Sequence, residues 1–272
     1  MREFSASPME ALRSAWRNRG LVWAMTWREI SGRYRGSTLG ILWSFISPLL
    51  MLGIYTFVFS VVFKARWSEG PDSKADFALG LFAGMLVFAF FSECVTRAPA
   101  LVVANPNFVK KVVFPLEVLP AISLGSALFQ MGVGLAVWLV FHSLVAGFPP
   151  VTVLLVPIVV VPLVWLALGL SWWLAALGVF LRDISQGVGI VVTALTFLTP
   201  LFYPVSALPA EYQLALFINP LTPLIEMMRN VLWLGELPAW QSLVVSYAVG
   251  AVAFISGFAA FQKLRKGFAD VL

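Results

Sequence analysis

From Val151 to Leu181 the chain reads VTVLLVPIVVVPLVWLALGLSWWLAALGVFL, without one Asp, Glu, Lys or Arg. A helix needs about 20 apolar residues to cross the hydrocarbon of a bilayer, and this run exceeds that. It is apolar on every face, which suits burial in lipid or protein and not a water-facing surface. Five more charge-free runs flank it: Gly36–Phe63, Phe77–Ser92 (closed by Glu93), Val118–Ala146, Ile184–Ala210 and Leu237–Gln262. The expected fold is an all-α integral membrane protein with six transmembrane helices and short connections.

Composition agrees. Sixty per cent of the 272 residues are hydrophobic and 11% are charged, with a mean hydropathy of +0.92. A soluble domain is about 25% charged, so lipid is the solvent that fits. Cys94 is the single cysteine, which excludes an intrachain disulfide. Residues 1–19 carry arginines but no cleavable apolar stretch, so the first span is expected to be retained. No fixed-period repeat is seen. The chain reads as one domain over 1–272, with an interfacial segment at 9–35, a six-helix region at 36–262 and a cytoplasmic tail at 263–272.

The net charge of +5 has to be read by position. With the N-terminus inside, six spans put only Lys64, Arg66, Lys74 and Arg229 outside, against the other fourteen of the 18 basic residues. Lys and Arg favour the cytoplasmic side, so both termini are expected in the cytoplasm.

Two segments are not read as spans. In residues 9–35, Trp16, Trp23, Trp27, Ile30 and Tyr34 recur at spacings that share one helical face, with Arg17, Arg28, Glu29 and Arg35 opposite. That describes a helix lying in the membrane interface, divided at Asn18 and Gly20. Headgroup anchoring and a lever on a cytoplasmic partner both fit it. Residues 212–236 have a charge-free start at Tyr212–Ile225, but Pro220 and Pro223 interrupt it and Glu226 and Arg229 follow. With Pro200, Pro204 and Pro209 upstream, a pair of short re-entrant helices in the outer leaflet is expected. Non-helical backbone at that depth must be buried in protein or line a wet cavity.

The loop from Arg97 to Pro115 contains Asn105-Pro106, a helix start, and Lys110-Lys111. About two turns are expected, closed by Phe114-Pro115, with Glu117 near the start of the third span. Such a basic helix suits lipid phosphate or a soluble subunit. Glu93 and Arg97 are four apart and can pair on one helix face. Arg182-Asp183 marks the turn between spans four and five.

There is no GxxxxGK[ST] loop, and the dipeptide Gly-Lys is absent, so no P-loop can hold a nucleotide. No CxxC or HExxH is present. His142, the one histidine, is read as a packed or interfacial residue. Only Glu93 could serve as an ionisable relay within the membrane. The driving energy is therefore expected to come from another subunit.

The ordered set Arg33-Tyr34-Arg35-Gly36, Leu42-Trp43-Ser44, Ser47-Pro48, Phe114-Pro115-Leu116-Glu117, Arg182-Asp183-Ile184, Thr199-Pro200-Leu201-Phe202-Tyr203-Pro204 and Asn219-Pro220-Leu221-Thr222-Pro223 resembles ABC-2 type permeases of the polysaccharide-export branch. Wzm-type transmembrane subunits of O-antigen transporters are the nearest match, with teichoic acid and capsule exporters as relatives. The resemblance spans nearly the whole chain. It implies a homodimer in the bacterial inner membrane, bound to two copies of a cytoplasmic ABC ATPase. That ATPase would hold ATP and Mg, leaving this chain without a cofactor. The substrate would be a polysaccharide on an undecaprenyl-type lipid, and no nucleic acid is involved.

The resemblance also implies site residues. Asn107, Phe108, Lys110, Lys111, Arg182 and Asp183 would couple to the ATPase. Trp23, Trp27, Arg28, Arg33, Tyr34 and Arg35 would lie on an interfacial gate helix. Tyr212, Pro220, Pro223, Glu226 and Arg229 would belong to a periplasmic gate. Aromatic faces suit a sliding sugar polymer, which makes Tyr55, Phe57, Phe59, Phe197, Phe202 and Tyr203 candidates for the channel lining. A permease for a drug or small lipid is the alternative within the class. A membrane-embedded glycan-assembly enzyme ranks last, because Glu93, Glu117 and Asp183 are isolated rather than clustered.

Overall fold

The computed structural model describes residues 7–33, 35–58, 74–110, 114–205 and 208–272. Tyr34, Phe59, Lys64, Arg66 and Lys111, named above, lie outside them. Every regular element among the described residues is helical. In order they are α1 (Pro8–Arg17), α2 (Arg19–Arg33), α3 (Trp43–Thr56), α4 (Lys74–Arg97), α5 (Ala100–Val103), α6 (Pro106–Lys110), α7 (Leu119–Val145), α8 (Val156–Phe180), α9 (Ile184–Leu198), α10 (Ala210–Leu216), α11 (Leu221–Arg229), α12 (Trp240–Leu264) and α13 (Phe268–Val271).

Among the described residues, four helices are long and apolar enough to cross a bilayer alone: α4, and α7, α8 and α12 with their flanking turns. The apolar segments Gly40–Thr56 and Ile184–Leu198 are shorter. α9 corrects an expected boundary, for the Ile184–Ala210 run is not one helix. At 15 residues, α9 rises about 22 Å. It stops at Leu198 because Pro200 lacks an N–H and disfavours helical backbone at Thr199. Asn219 donates to Thr199 Oγ1 at 2.9 Å, which ties the break to the start of α11.

α4 departs in the opposite sense. The apolar run ends at Ser92, yet the helix continues through Glu93 to Arg97, since both charges find partners on α2. α7 ends at Val145 with Ala146 as its cap, and Gly147 takes φ +86°, the left-handed turn that glycine accepts after a helix. His142 is buried, with its ring against Trp138 and Nδ1 3.1 Å from the Gly147 carbonyl.

α4 is the most enclosed of the long helices and packs against α7, α8, α9 and α11. Trp138 of α7 donates to the Leu79 carbonyl at 3.0 Å. α8 and α12 form the most extensive pair and meet at Gly169 and Gly257. A Cβ on Gly178 would overlap the Pro99 carbonyl, so the α4–α5 turn lies directly on the last turns of α8. This end of the bundle carries α6, Arg182 and the Lys263–Lys266 cluster, and is called the basic end below.

Candidate functional site: coupling loop, gate helix and aromatic seam

α6 follows Asn105-Pro106 as expected, but the capping runs the other way. The Asn105 side chain donates backward to the Leu101 carbonyl at 2.9 Å. Only its backbone carbonyl serves α6, accepting from the Phe108 N–H at 3.0 Å. Asn105 thus welds α5 to α6. Asn107 and Lys110 are exposed, while Phe108 is half-buried and stacks on Phe114 at 4.3 Å. Arg182 and Asp183 are exposed at the same end. The Asp183 carbonyl accepts from the N–H groups of Gln186 and Gly187, and its carboxylate caps nothing.

The interfacial segment is two helices, broken at Asn18, whose side chain donates to the Ser14 carbonyl at 2.8 Å. Gly20 lies inside α2, not at the break. The single apolar face expected across 16–34 is corrected. Ile30 is buried together with Thr26, which donates to the Ile122 carbonyl at 3.3 Å and sits against Gly125 of α7. Trp23 and Trp27 point the other way, 71% and 53% exposed, with ring centroids 6.4 Å apart. Trp16 belongs to α1 and lies under the Arg19 guanidinium at 4.8 Å. The break at Asn18 resets the helical phase, so residues before and after it do not share a face.

Glu29, expected opposite the tryptophans, pairs with Arg97. Arg33 pairs with Glu93 and donates to Ser126 Oγ at 2.8 Å, and Arg97 reaches Glu93 at 3.4 Å. Two acids and two arginines therefore alternate across α2 and α4, with Ser126 of α7 joined to them. The i,i+4 spacing of Glu93 and Arg97 signalled half of this network. The half from α2 lies about 60 positions upstream and leaves no periodic trace. Arg28 and Arg35 are exposed.

Four of the aromatic candidates come together at the far end of the bundle. Tyr55 of α3 lies 5.4 Å from Phe202, ring to ring, and Phe202 lies 6.4 Å from Phe197. The Tyr203 hydroxyl donates to the Phe197 carbonyl at 3.0 Å. Phe202 is buried and Phe197 is 65% exposed, so the seam has an inner and an outer edge. Phe57 is exposed.

The proline-rich segment around α11 carries a buried charge. Tyr212 is exposed, Pro220 precedes α11 and Pro223 is buried in its first turn. Arg229, which the charge count assigns to the outer side, is 2% exposed and threaded into the bundle. Its Nε donates to the Gly80 carbonyl at 3.0 Å, Nη2 to the Leu201 carbonyl at 2.8 Å and Nη1 to Glu226 at 2.8 Å. One side chain thus fastens α11 to α4 and to the chain after α9.

The family profile described as ABC-2 type transporter matches residues 20–233. The chain is 30% identical over 261 residues to the O-antigen export system permease protein RfbA of Myxococcus xanthus, covering 95% of this chain and 98% of that one. It is 26% identical to the protein of the same name from Klebsiella pneumoniae, over 93% and 95%. With the polysialic acid transport protein KpsM of Escherichia coli the identity is 24%, over 89% and 92%. The profile covers most of the helices described above, from α2 to the turn after α11, and on that ground the chain belongs to the ABC-2 type transporter family.

Proposed function

We propose that this chain is the channel-forming membrane subunit of an ATP-driven exporter that carries a lipid-linked polysaccharide out of the cytoplasm. The observation that carries this reading is end-to-end similarity to permeases named for two different polysaccharides, O-antigen and polysialic acid. A capsule-type polymer is the second reading, favoured by the similarity to the polysialic acid protein.

In this proposal six helices cross the bacterial inner membrane, with α3 and α9 as the first and fifth spans and both termini at the basic, cytoplasmic end. The pair α10 and α11 dips into the outer leaflet as the gate. α3 and α9 have the least covered flanks: Leu50, Ile54, Phe57, Ile190 and Phe197 are all exposed. A second copy would cover those flanks and close a channel between them, with Tyr55, Phe202 and Tyr203 near its wall. α6, with Arg182 and Asp183, would receive the ATPase, which would bind ATP and magnesium. The Trp23–Trp27 face of α2 would lie at the membrane interface, where tryptophan is favoured.

The direct test is co-purification. A cytoplasmic ATPase with P-loop motifs should be retained by the tagged chain from its own membranes, and export should require both. Transport by the chain alone would overturn the reading. Lys110→Glu is expected to cut export about tenfold or more through lost docking, a coupling of ordinary size; unchanged surface polysaccharide would return α6 to the role of a lipid contact. Tyr203→Asp is expected to leave the chain inserted but export impaired, because it removes a ring that the polymer's apolar faces would slide on and puts in its place a carboxylate that is costly to desolvate. Normal surface polymer in that variant would remove the seam from the path.

A further inference from the structure

The sequence placed Glu117 only as an acid near the start of the third span, and residues 263–272 only as a tail. The structure joins them. Glu117 is buried, and its two carboxylate oxygens are taken by different parts of the chain. Oε1 accepts from Ser14 Oγ of α1 at 2.8 Å. Oε2 accepts from Arg265 Nη1, just after α12, at 2.6 Å. The Glu117 carbonyl accepts from Trp172 Nε1 of α8 at 2.9 Å. The other arm of Arg265, Nη2, donates to the Phe114 carbonyl at 3.0 Å, and Phe114 is the residue whose ring stacks on Phe108 of α6.

The C-terminal segment is held in place as well. Phe268 is fully buried, with its ring against Phe180 and Phe261, and α13 packs on α6 and α8. Beside the pair runs a cavity of about 80 Å³, bordered by Ala11, Ser14, Glu117, Trp172, Phe254 and Phe258. The cavity lies between α1 on one side and α8 and α12 on the other.

We infer that the Glu117–Arg265 pair is the joint through which a stroke on α6 is carried to the last membrane helix and to the N-terminal helix together. The inference rests on the proposed docking of an ATPase at α6. A push on α6 reaches Phe114 through the stacked rings. Arg265 holds the Phe114 backbone and Glu117 at once, so the push moves the end of α12. Ser14 on the second carboxylate oxygen takes α1 along. A largely buried pair held from both sides by further hydrogen bonds is rigid and tolerates no half-made state, which is what a transmitting joint requires. Glu117 and Arg265 are positioning residues, since neither faces the aromatic seam.

The test compares Glu117→Gln, Arg265→Ala, Arg265→Lys and Ser14→Ala in the membrane complex with its ATPase. Three quantities are read in each: ATPase retained, ATP hydrolysed and polysaccharide reaching the cell surface. Glu117→Gln and Arg265→Ala should keep the ATPase bound and hydrolysing while export per ATP falls about tenfold. Arg265→Lys, which keeps the charge, should recover most of it, and Ser14→Ala should lower it less. Two outcomes overturn the inference: unchanged export per ATP in Glu117→Gln, or a parallel fall of folded chain, bound ATPase and export in every variant. If the wild-type chain retains no ATPase, the underlying reading fails and the joint fails with it. An ATPase retained by wild type and variants alike, with normal export, removes the joint alone.

Discussion

Arg229→Ala is expected to yield little folded protein. The guanidinium is 2% exposed and holds three acceptors from three stretches of chain: the Gly80 carbonyl in α4, the Leu201 carbonyl after α9, and Glu226 one turn back in α11. Truncation leaves two buried backbone carbonyls without that donor and releases the partly exposed Glu226 carboxylate. Each buried acceptor left without its donor costs about 1–3 kcal/mol, against a net stability of about 5–15 kcal/mol for a typical domain. Arg229→Lys should rescue little, because one ammonium cannot reproduce a fork that serves three directions. The check is the monodisperse fraction after detergent extraction, with the thermal unfolding midpoint. An alanine variant that unfolds with the wild type would show that the three bonds hold nothing together. Glu226→Gln, which keeps an acceptor for Nη1, should be far milder.

Arg229 also shows where sequence reading stops. A lone Arg after a proline-rich stretch looks like an outside charge, because charge counting assigns residues to sides and not to partners. Two of its partners are backbone carbonyls about 30 and 150 positions away, which carry no side-chain signature; only Glu226, one turn back, does. Glu93 was legible through the i,i+4 spacing to Arg97, but not the reach of Arg33 and Glu29 from α2. The long charge-free runs were read correctly as α7, α8 and α12, since lipid demands an unbroken apolar stretch and almost nothing else does. Ile184–Ala210 satisfied the same count and still broke at Pro200, because absence of charge says nothing about backbone continuity. The aromatic seam was legible as residue types on two runs. That Tyr55 meets Phe202 depends on how α3 crosses the chain after α9, and neither run encodes that crossing.

Gly257→Val is the second change expected to have a large effect, and it tests how the most extensively packed helix pair is held. Lipid supplies no hydrophobic drive between two apolar helices, so their association depends on close packing. α8 and α12 pack at backbone range. A Cβ on Gly257 would overlap the Gly169 carbonyl oxygen and lie 2.7 Å from its carbon; one on Gly169 would overlap the Ala253 carbonyl, and one on Gly250 would lie 2.8 Å from the Pro162 oxygen. Gly250, Ala253 and Gly257 form a stripe at helical spacing, visible in the sequence but submerged there in an apolar run. The obstructing atoms are backbone, so no rotamer change can make room. α12 has to move outward, and Trp172, whose ring touches both Phe254 and Phe258, loses its packing. Overpacking in a core costs about 1–3 kcal/mol where side chains can adjust, and here the adjustment is a helix displacement. Gly257→Val should therefore lower the unfolding midpoint more than Gly250→Ala. Gly132→Ala in α7, where an added Cβ meets nothing within 4 Å, should be neutral or slightly stabilising through helix propensity. Equal midpoints for Gly257→Val and Gly132→Ala would mean that α8 and α12 do not approach this closely in the membrane.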